Sequence, residues 1–328
     1  MARFASFRSR WLLAATFLCA LFASETAHAQ ADDLYFETVR GARDEGCRGR
    51  KFVCYDLLST HRRNYFLTGF ERNTEVKFQF SVKYDLWPNE SPSSLHLAYT
   101  QKSIWNLYLP SAPFDESNYH PEIFYTYRFD AHGSDVAQSP SPHREDEPPP
   151  MFPPPDLSPK PARCRLSYLR GGVEHESNGQ SGATSRGWNR VYVSGLGGCD
   201  LTGTVYGTAG LEVWAPPFGI ADNADISQYM GSGELSLALG ASSDTWLGSA
   251  EVSMTGRKGW RRAIDVGSAE FDARWRPGYA RLSEHWRFVP YLMAQLFTGY
   301  GEMLLDYNRP STSFRIGIGL SGAVRLPK

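Results

Sequence analysis

Residues 171–190 read GGVEHESNGQSGATSRGWNR, which sets His175 two positions before Ser177 and Asn189 a dozen positions beyond the serine. A serine hydroxyl is a weak nucleophile until a neighbouring base takes its proton. Side chains at i and i+2 point apart on a helix but share a face on a strand. On a strand, His175 is therefore within reach of Ser177, provided a third group orients the imidazole and fixes its tautomer. Asn189 is a candidate for that group, since a neutral amide orients the histidine of Cys-His-Asn proteases. H-x-S triplets also occur by chance, and Ser-Asn-Gly is ordinary loop material, so the spacing alone leaves the question open. Glu174 and Glu176 fall on the opposite face with Arg170, where an ion pair with that arginine is the simplest reading.

The element carrying these residues decides between the two geometries. From Glu75 to Trp87 the chain alternates without a break: Val76, Phe78, Phe80, Val82, Tyr84 and Leu86 against Lys77, Gln79, Ser81, Lys83 and Asp85. A period of two is a strand with one apolar and one polar side. The pattern returns at Phe314, Ile316, Ile318 and Leu320. Similar stretches lie near 65–70, 95–108, 119–129, 164–177, 188–198, 203–214, 229–240, 244–256, 264–275 and 286–300, separated by Pro, Gly and Asn breakers. That makes about twelve strands, an even number, and no long amphipathic helix. On the fifth, Leu169, Val173, His175 and Ser177 share the apolar face. A soluble sandwich would bury that face, whereas a transmembrane barrel turns it to lipid and fills its interior with polar groups. Long strands, Tyr and Trp near strand ends and mixed charges on the polar faces favour the barrel. The fold expected is all-β, a twelve-stranded antiparallel transmembrane β-barrel.

The first residues support export. A basic start, an apolar run from Trp11 to Ala23 and Ala27-His28-Ala29 describe a cleaved signal peptide over residues 1–29. The run is short for a spanning helix, and Cys19 within it lacks a convincing lipobox. A periplasmic segment, 30–61, is expected next, then the barrel over 62–328. With the N-terminus in the periplasm, the link between the fourth and fifth strands is periplasmic. It holds a proline-rich insert within 131–162 that cannot pair in a sheet. Lys and Arg total 34 against 35 Asp and Glu, a net charge of −1, which gives no basic excess for nucleic acid. Four cysteines remain after cleavage, and in an oxidising compartment Cys47–Cys54 and Cys164–Cys199 are the candidate disulfides, with free buried thiols the alternative.

The segment HESNGQSGATSRGWNR resembles the signature of the bacterial outer-membrane phospholipase A family. EVKFQFSV, AYTQKSIWNLYLPSAPFDESNYHPEIF, DISQYMG and FTGYGEMLLDYN are similar to further family segments and follow in order from about residue 62 to residue 320. The resemblance implies a calcium-dependent hydrolase of phospholipid and lysophospholipid acyl esters, active as a homodimer in the outer membrane. It implies Ser177 as nucleophile, His175 as base, Asn189 as orienting residue and the Gly179 N–H as oxyanion donor. Calcium would meet the Gln180 carbonyl and the Ser185 hydroxyl, with Ser111 contributed by the second subunit and Gln101 in the dimer seam. Members commonly carry an acidic residue where this chain has Gly182. The terminus AVRLPK lacks a final aromatic, and the insert and cysteines are additions. A barrel that has lost its activity and serves as channel or scaffold is the competing reading; a soluble binding sandwich is the third.

Overall fold

A computed structural model describes residues 58–69, 75–86, 93–129, 163–202, 204–215, 217–242, 246–261, 266–277 and 289–321. The expected signal peptide, the segment up to residue 57 with Cys47 and Cys54, and the proline-rich insert lie outside the described residues. Twelve strands follow in order: β1 (Asn64–Gly69), β2 (Val76–Asp85), β3 (Ser93–Trp105), β4 (Phe114–Arg128), β5 (Arg163–Ser177) and β6 (Gly187–Asp200). The second half comprises β7 (Val205–Trp214), β8 (Gly233–Ser242), β9 (Ser249–Lys258), β10 (Gly267–Arg276), β11 (Val289–Gly299) and β12 (Ser311–Ser321). Each strand pairs antiparallel with the next, and β12 pairs back with β1, Leu320 opposite Asn64. The twelve strands therefore close on themselves, as a membrane-spanning sheet must.

The two faces are inverted relative to a soluble protein. Leu97, Ile123, Val173, Val193, Leu211 and Phe314 are exposed on the outside, while Lys77, Glu122, Glu174, Arg190, Asp272 and Arg315 are buried inside. Such a wall suits hydrocarbon and would aggregate in water, so the sandwich reading fails. A three-residue strand, Leu58–Thr60, runs along the same edge of β2 as β1, and His61, Arg62 and Arg63 interrupt the two. The interruption turns basic side chains into the lumen. His61 bonds Glu122, Arg62 lies 3.2 Å from Glu174, and Arg63 bonds Asp272.

Three boundaries depart from the alternation. β4 starts at Phe114 rather than Tyr119, because Asp115 and Ser117 make the outer face polar there and hide the period. Residues 226–230, expected to open a strand at Tyr229, form the short helix α1 (Ile226–Met230), and β8 begins only at Gly233. Ile226 and Met230 are buried with Trp188, Trp214, Leu304 and Tyr307 in an apolar cluster at the mouth of the barrel, and that packing overrides the strand pattern. β9 likewise starts at Ser249 rather than Asp244.

Candidate active site

β5 and β6 form a hairpin in which His175 stands opposite Asn189, Glu174 opposite Arg190, Glu176 opposite Trp188 and Ser177 opposite Gly187. Farther down the same pair, Cys164 faces Cys199 and the two form a disulfide. Alternation along β5 puts His175 and Ser177 on the lipid side, with Glu174 and Glu176 buried in the lumen. The imidazole Nδ1 lies 2.9 Å from Asn189 Oδ1, so with Nδ1 protonated the ring donates to the amide oxygen and leaves Nε2 free. Among the described residues no hydrogen bond joins His175 to the Ser177 hydroxyl. The two side chains share a face, and such contacts tighten in complexes with substrate.

Past Ser177 the chain turns through a loop pinned by a buried side chain. Asn178 donates Nδ2 to the Thr184 carbonyl at 2.8 Å, and its Oδ1 accepts from the backbone N–H groups of Arg186 at 3.0 Å and Gln180 at 3.3 Å. Gly179 adopts φ +64°, and a Cβ there would press on the Tyr119 ring, so the turn favours glycine. Its N–H has no partner among the described residues and lies two residues from Ser177, the right type of group for a developing oxyanion. Gln180 is exposed, and Gly182 is glycine at φ +65°.

The Ser185 hydroxyl donates to Asp222 Oδ2 at 2.8 Å. Asp222 was missed in the sequence: it sits in the 215–232 connection, where nothing local marks it, and only the folding-back of that connection brings it to the hairpin. Ser111 is exposed on the β3–β4 turn at φ +65°, a left-handed conformation uncommon for a non-glycine residue. Gln101 lies on the outer side of β3 and bonds the near neighbours Tyr99 and Ser103.

The carboxylates behind the site correct one expectation. Glu174 pairs with Arg190 at 2.7 Å and Arg62 at 3.2 Å, not with Arg170, whose guanidinium lies over the Phe124 ring instead. Glu176 accepts from Trp188 Nε1 at 2.8 Å, and His120 bridges both carboxylates at 2.9 and 3.0 Å. His120, Glu174 and Glu176 are close enough to hold a cation. Two guanidinium groups already neutralise that cluster, so it fits a lumen brace better than a metal centre.

A family model described as Phospholipase A1 matches residues 57–321. The phospholipase A1 of Klebsiella pneumoniae is 31% identical over 271 residues, 81% of this chain and 76% of that protein. That of Escherichia coli K12 is 32% identical over 262 residues, 76% of this chain and 70% of its own length. Among solved structures, outer membrane phospholipase A from Escherichia coli superposes with a TM-score of 0.57 at 28% identity, covering 80% of this chain and 91% of that one. The Salmonella typhi outer membrane phospholipase, solved as a dimer with bound calcium, gives 0.57 at 27% identity and covers 80% and 92%.

Proposed function

The chain belongs to the phospholipase A1 family, phospholipid ester hydrolases of the outer membrane, and we propose that it cuts acyl esters with Ser177, His175 and Asn189 on its lipid-facing wall. The observation that carries this reading is the 2.9 Å contact between His175 Nδ1 and Asn189 Oδ1, on the same outer face as Ser177. Asn189 holds the tautomer in which Nε2 is unprotonated. Nε2 takes the Ser177 proton as Oγ attacks the ester carbonyl, and later returns a proton to the departing alcohol or lysolipid. The Gly179 N–H stabilises the tetrahedral oxyanion. A triad facing outward is a liability on any barrel except one whose substrate is the surrounding bilayer.

Calcium fits the residues present. Ser185 and Asp222 offer oxygen donors in mutual contact, the Gln180 carbonyl lies in the same loop, and a hard cation prefers such ligands. Asp222 also provides the negative charge that Gly182 does not. Ser111 of a second copy would complete the set, with Gln101 in the seam between copies. Calcium held there would supply Lewis-acid polarisation of the ester oxygen beside the Gly179 donor. Phospholipid is the substrate and a homodimer the active form, with the acyl chains held in a cleft between copies.

The test is hydrolysis of phospholipid in mixed micelles by purified protein. Ser177→Ala and His175→Ala should each be inactive while remaining folded, and EDTA should silence the wild type until calcium is restored. Full turnover by Ser177→Ala sinks the nucleophile assignment; turnover indifferent to EDTA sinks the calcium role. A lapsed barrel acting as scaffold would hydrolyse nothing under any of these conditions.

A further inference from the structure

The amide of Asn189 is symmetric enough in shape to face His175 either way round, and only one way is useful. With Oδ1 toward the ring, Nδ1 must carry the proton and Nε2 is a base. With Nδ2 toward the ring, Nδ1 must accept and the proton moves to Nε2, where it blocks the abstraction from Ser177. Something must choose. His175 is exposed and Asn189 half-buried at the bilayer face, so the barrel core does not make the choice.

The choice is made by the chain that follows β7. After Trp214 the backbone doubles back beside the outer end of β6: the Ala215 N–H donates to the Val191 carbonyl at 3.0 Å, and Phe218 forms a one-residue antiparallel bridge with Asn189. In that bridge the Phe218 N–H donates to the Asn189 carbonyl at 3.2 Å, and the Asn189 N–H donates to the Phe218 carbonyl at 2.9 Å. The same Phe218 carbonyl accepts a second bond, from Asn189 Nδ2, at 3.2 Å. A carbonyl oxygen has two lone pairs, so both bonds are satisfied. The amide nitrogen is thereby held away from the imidazole and the amide oxygen toward it.

Gly219 follows at φ +67°, and a Cβ built on it would overlap the Asn189 amide nitrogen. Either constraint alone would favour glycine; the second ties the choice to the orienting residue itself.

We propose that the Phe218–Gly219 turn is a positioning element for the histidine–asparagine pair, its carbonyl selecting the amide orientation and its glycine leaving room for that amide. This rests on the triad reading above and deepens it. Neither residue touches the ester; both act through Asn189. The Phe218 side chain, exposed on the lipid side, takes no part.

The experiment is a double-mutant cycle in calcium-containing mixed micelles with Gly219→Ala, Asn189→Ala and the double variant, foldedness being followed by barrel migration on gels. Gly219→Ala should lower kcat by at least about tenfold with KM unchanged, the scale expected for a misplaced catalytic group. In the Asn189→Ala background, where the crowded amide is gone, the same change should alter kcat by less than about twofold, the tolerance for non-interacting sites. Backbone strain at positive φ is equal in both backgrounds, so a merely structural defect would multiply through the cycle. Nitrogen NMR of His175 gives a readout free of turnover: the proton should sit on Nδ1 in the wild type and be shared with Nε2 in Gly219→Ala. Multiplicative losses, wild-type kcat in Gly219→Ala, or an unchanged tautomer overturn the proposal. Ser177→Ala run alongside separates the two levels: if it stays active the triad reading falls, and if it is dead while the cycle multiplies, only the turn's role falls.

Discussion

Removing one oxygen atom in Ser177→Ala takes away the proposed nucleophile and leaves the sheet untouched, since the side chain makes no hydrogen bond among the described residues. The expected loss in kcat is on the order of 10⁵-fold or more, with His175→Ala similar because the two act as one unit. Asn189→Ala should cost one to two orders of magnitude less, roughly the ratio seen when an orienting residue is lost instead of a nucleophile. Asp222→Asn keeps the hydrogen bond to Ser185 but drops the charge. Its expected outcome is a higher calcium concentration for half-maximal activity with little change at saturation, measured by calcium titration of the rate. That His175 and Ser177 share a face was legible from spacing, since alternation on one strand needs nothing beyond the local chain; their joint role with Asn189 came from the family resemblance. Asp222 and Phe218 were not, because neither carries a pattern until the 215–232 connection folds back.

At the scale of elements, the β5–β6 hairpin carries the proposed site on its outer face and is braced on its inner one. Glu174 and Glu176 alternate with His175 and Ser177, and Arg190 and Trp188 alternate with Asn189, so each buried pair flanks an outward-facing residue of the proposed triad. Arg190→Ala leaves buried carboxylates short of a partner and should destabilise the barrel by about 3–5 kcal/mol, read from urea unfolding in detergent. The β11–β12 connection shows the same economy of charge. Burial pushes the Glu302 carboxyl up, but Lys77 and Arg315 outweigh it and hold the group down at about 2. Its folded value is thus below the usual carboxylate range, so its contribution to stability is full above that range and disappears as pH falls through about 2. Glu302→Gln should remove that part of the acid dependence, a comparison made by unfolding titrations between pH 5 and 2. The packing of this connection was not readable in the sequence, because Leu304 and Tyr307 gain meaning only against Trp188 and Trp214 from distant strands.

For the whole molecule, the decisive property is an apolar wall turned outward around a charged interior. Val193→Arg sets a cation on that wall, on the same side as Val191 and Val173, and should cost about 2–4 kcal/mol if the position lies near the bilayer midplane. Folding into lipid vesicles of varied thickness measures it; an unaffected barrel would argue that this face is not in lipid. Closure of β12 on β1 completes the twelve-stranded ring, and His61, Arg62 and Arg63 fill part of the lumen through contacts with Glu122, Glu174 and Asp272, an arrangement that suits a packed wall more than an open channel.

The alternation of side chains by itself determined the strands, their approximate number and the shared face of His175 and Ser177, because a strand's period of two is a local property of the backbone; strand length, aromatic strand ends and mixed charge on the polar faces were what turned that face outward. Only the tertiary structure decided which charges neutralise one another, that Ser185 meets Asp222, that α1 replaces the start of a strand, and which way the Asn189 amide faces. Those outcomes depend on contacts between residues far apart in the chain, and their distances are set by closure of the sheet and the folding of its connections, which no short stretch of sequence encodes.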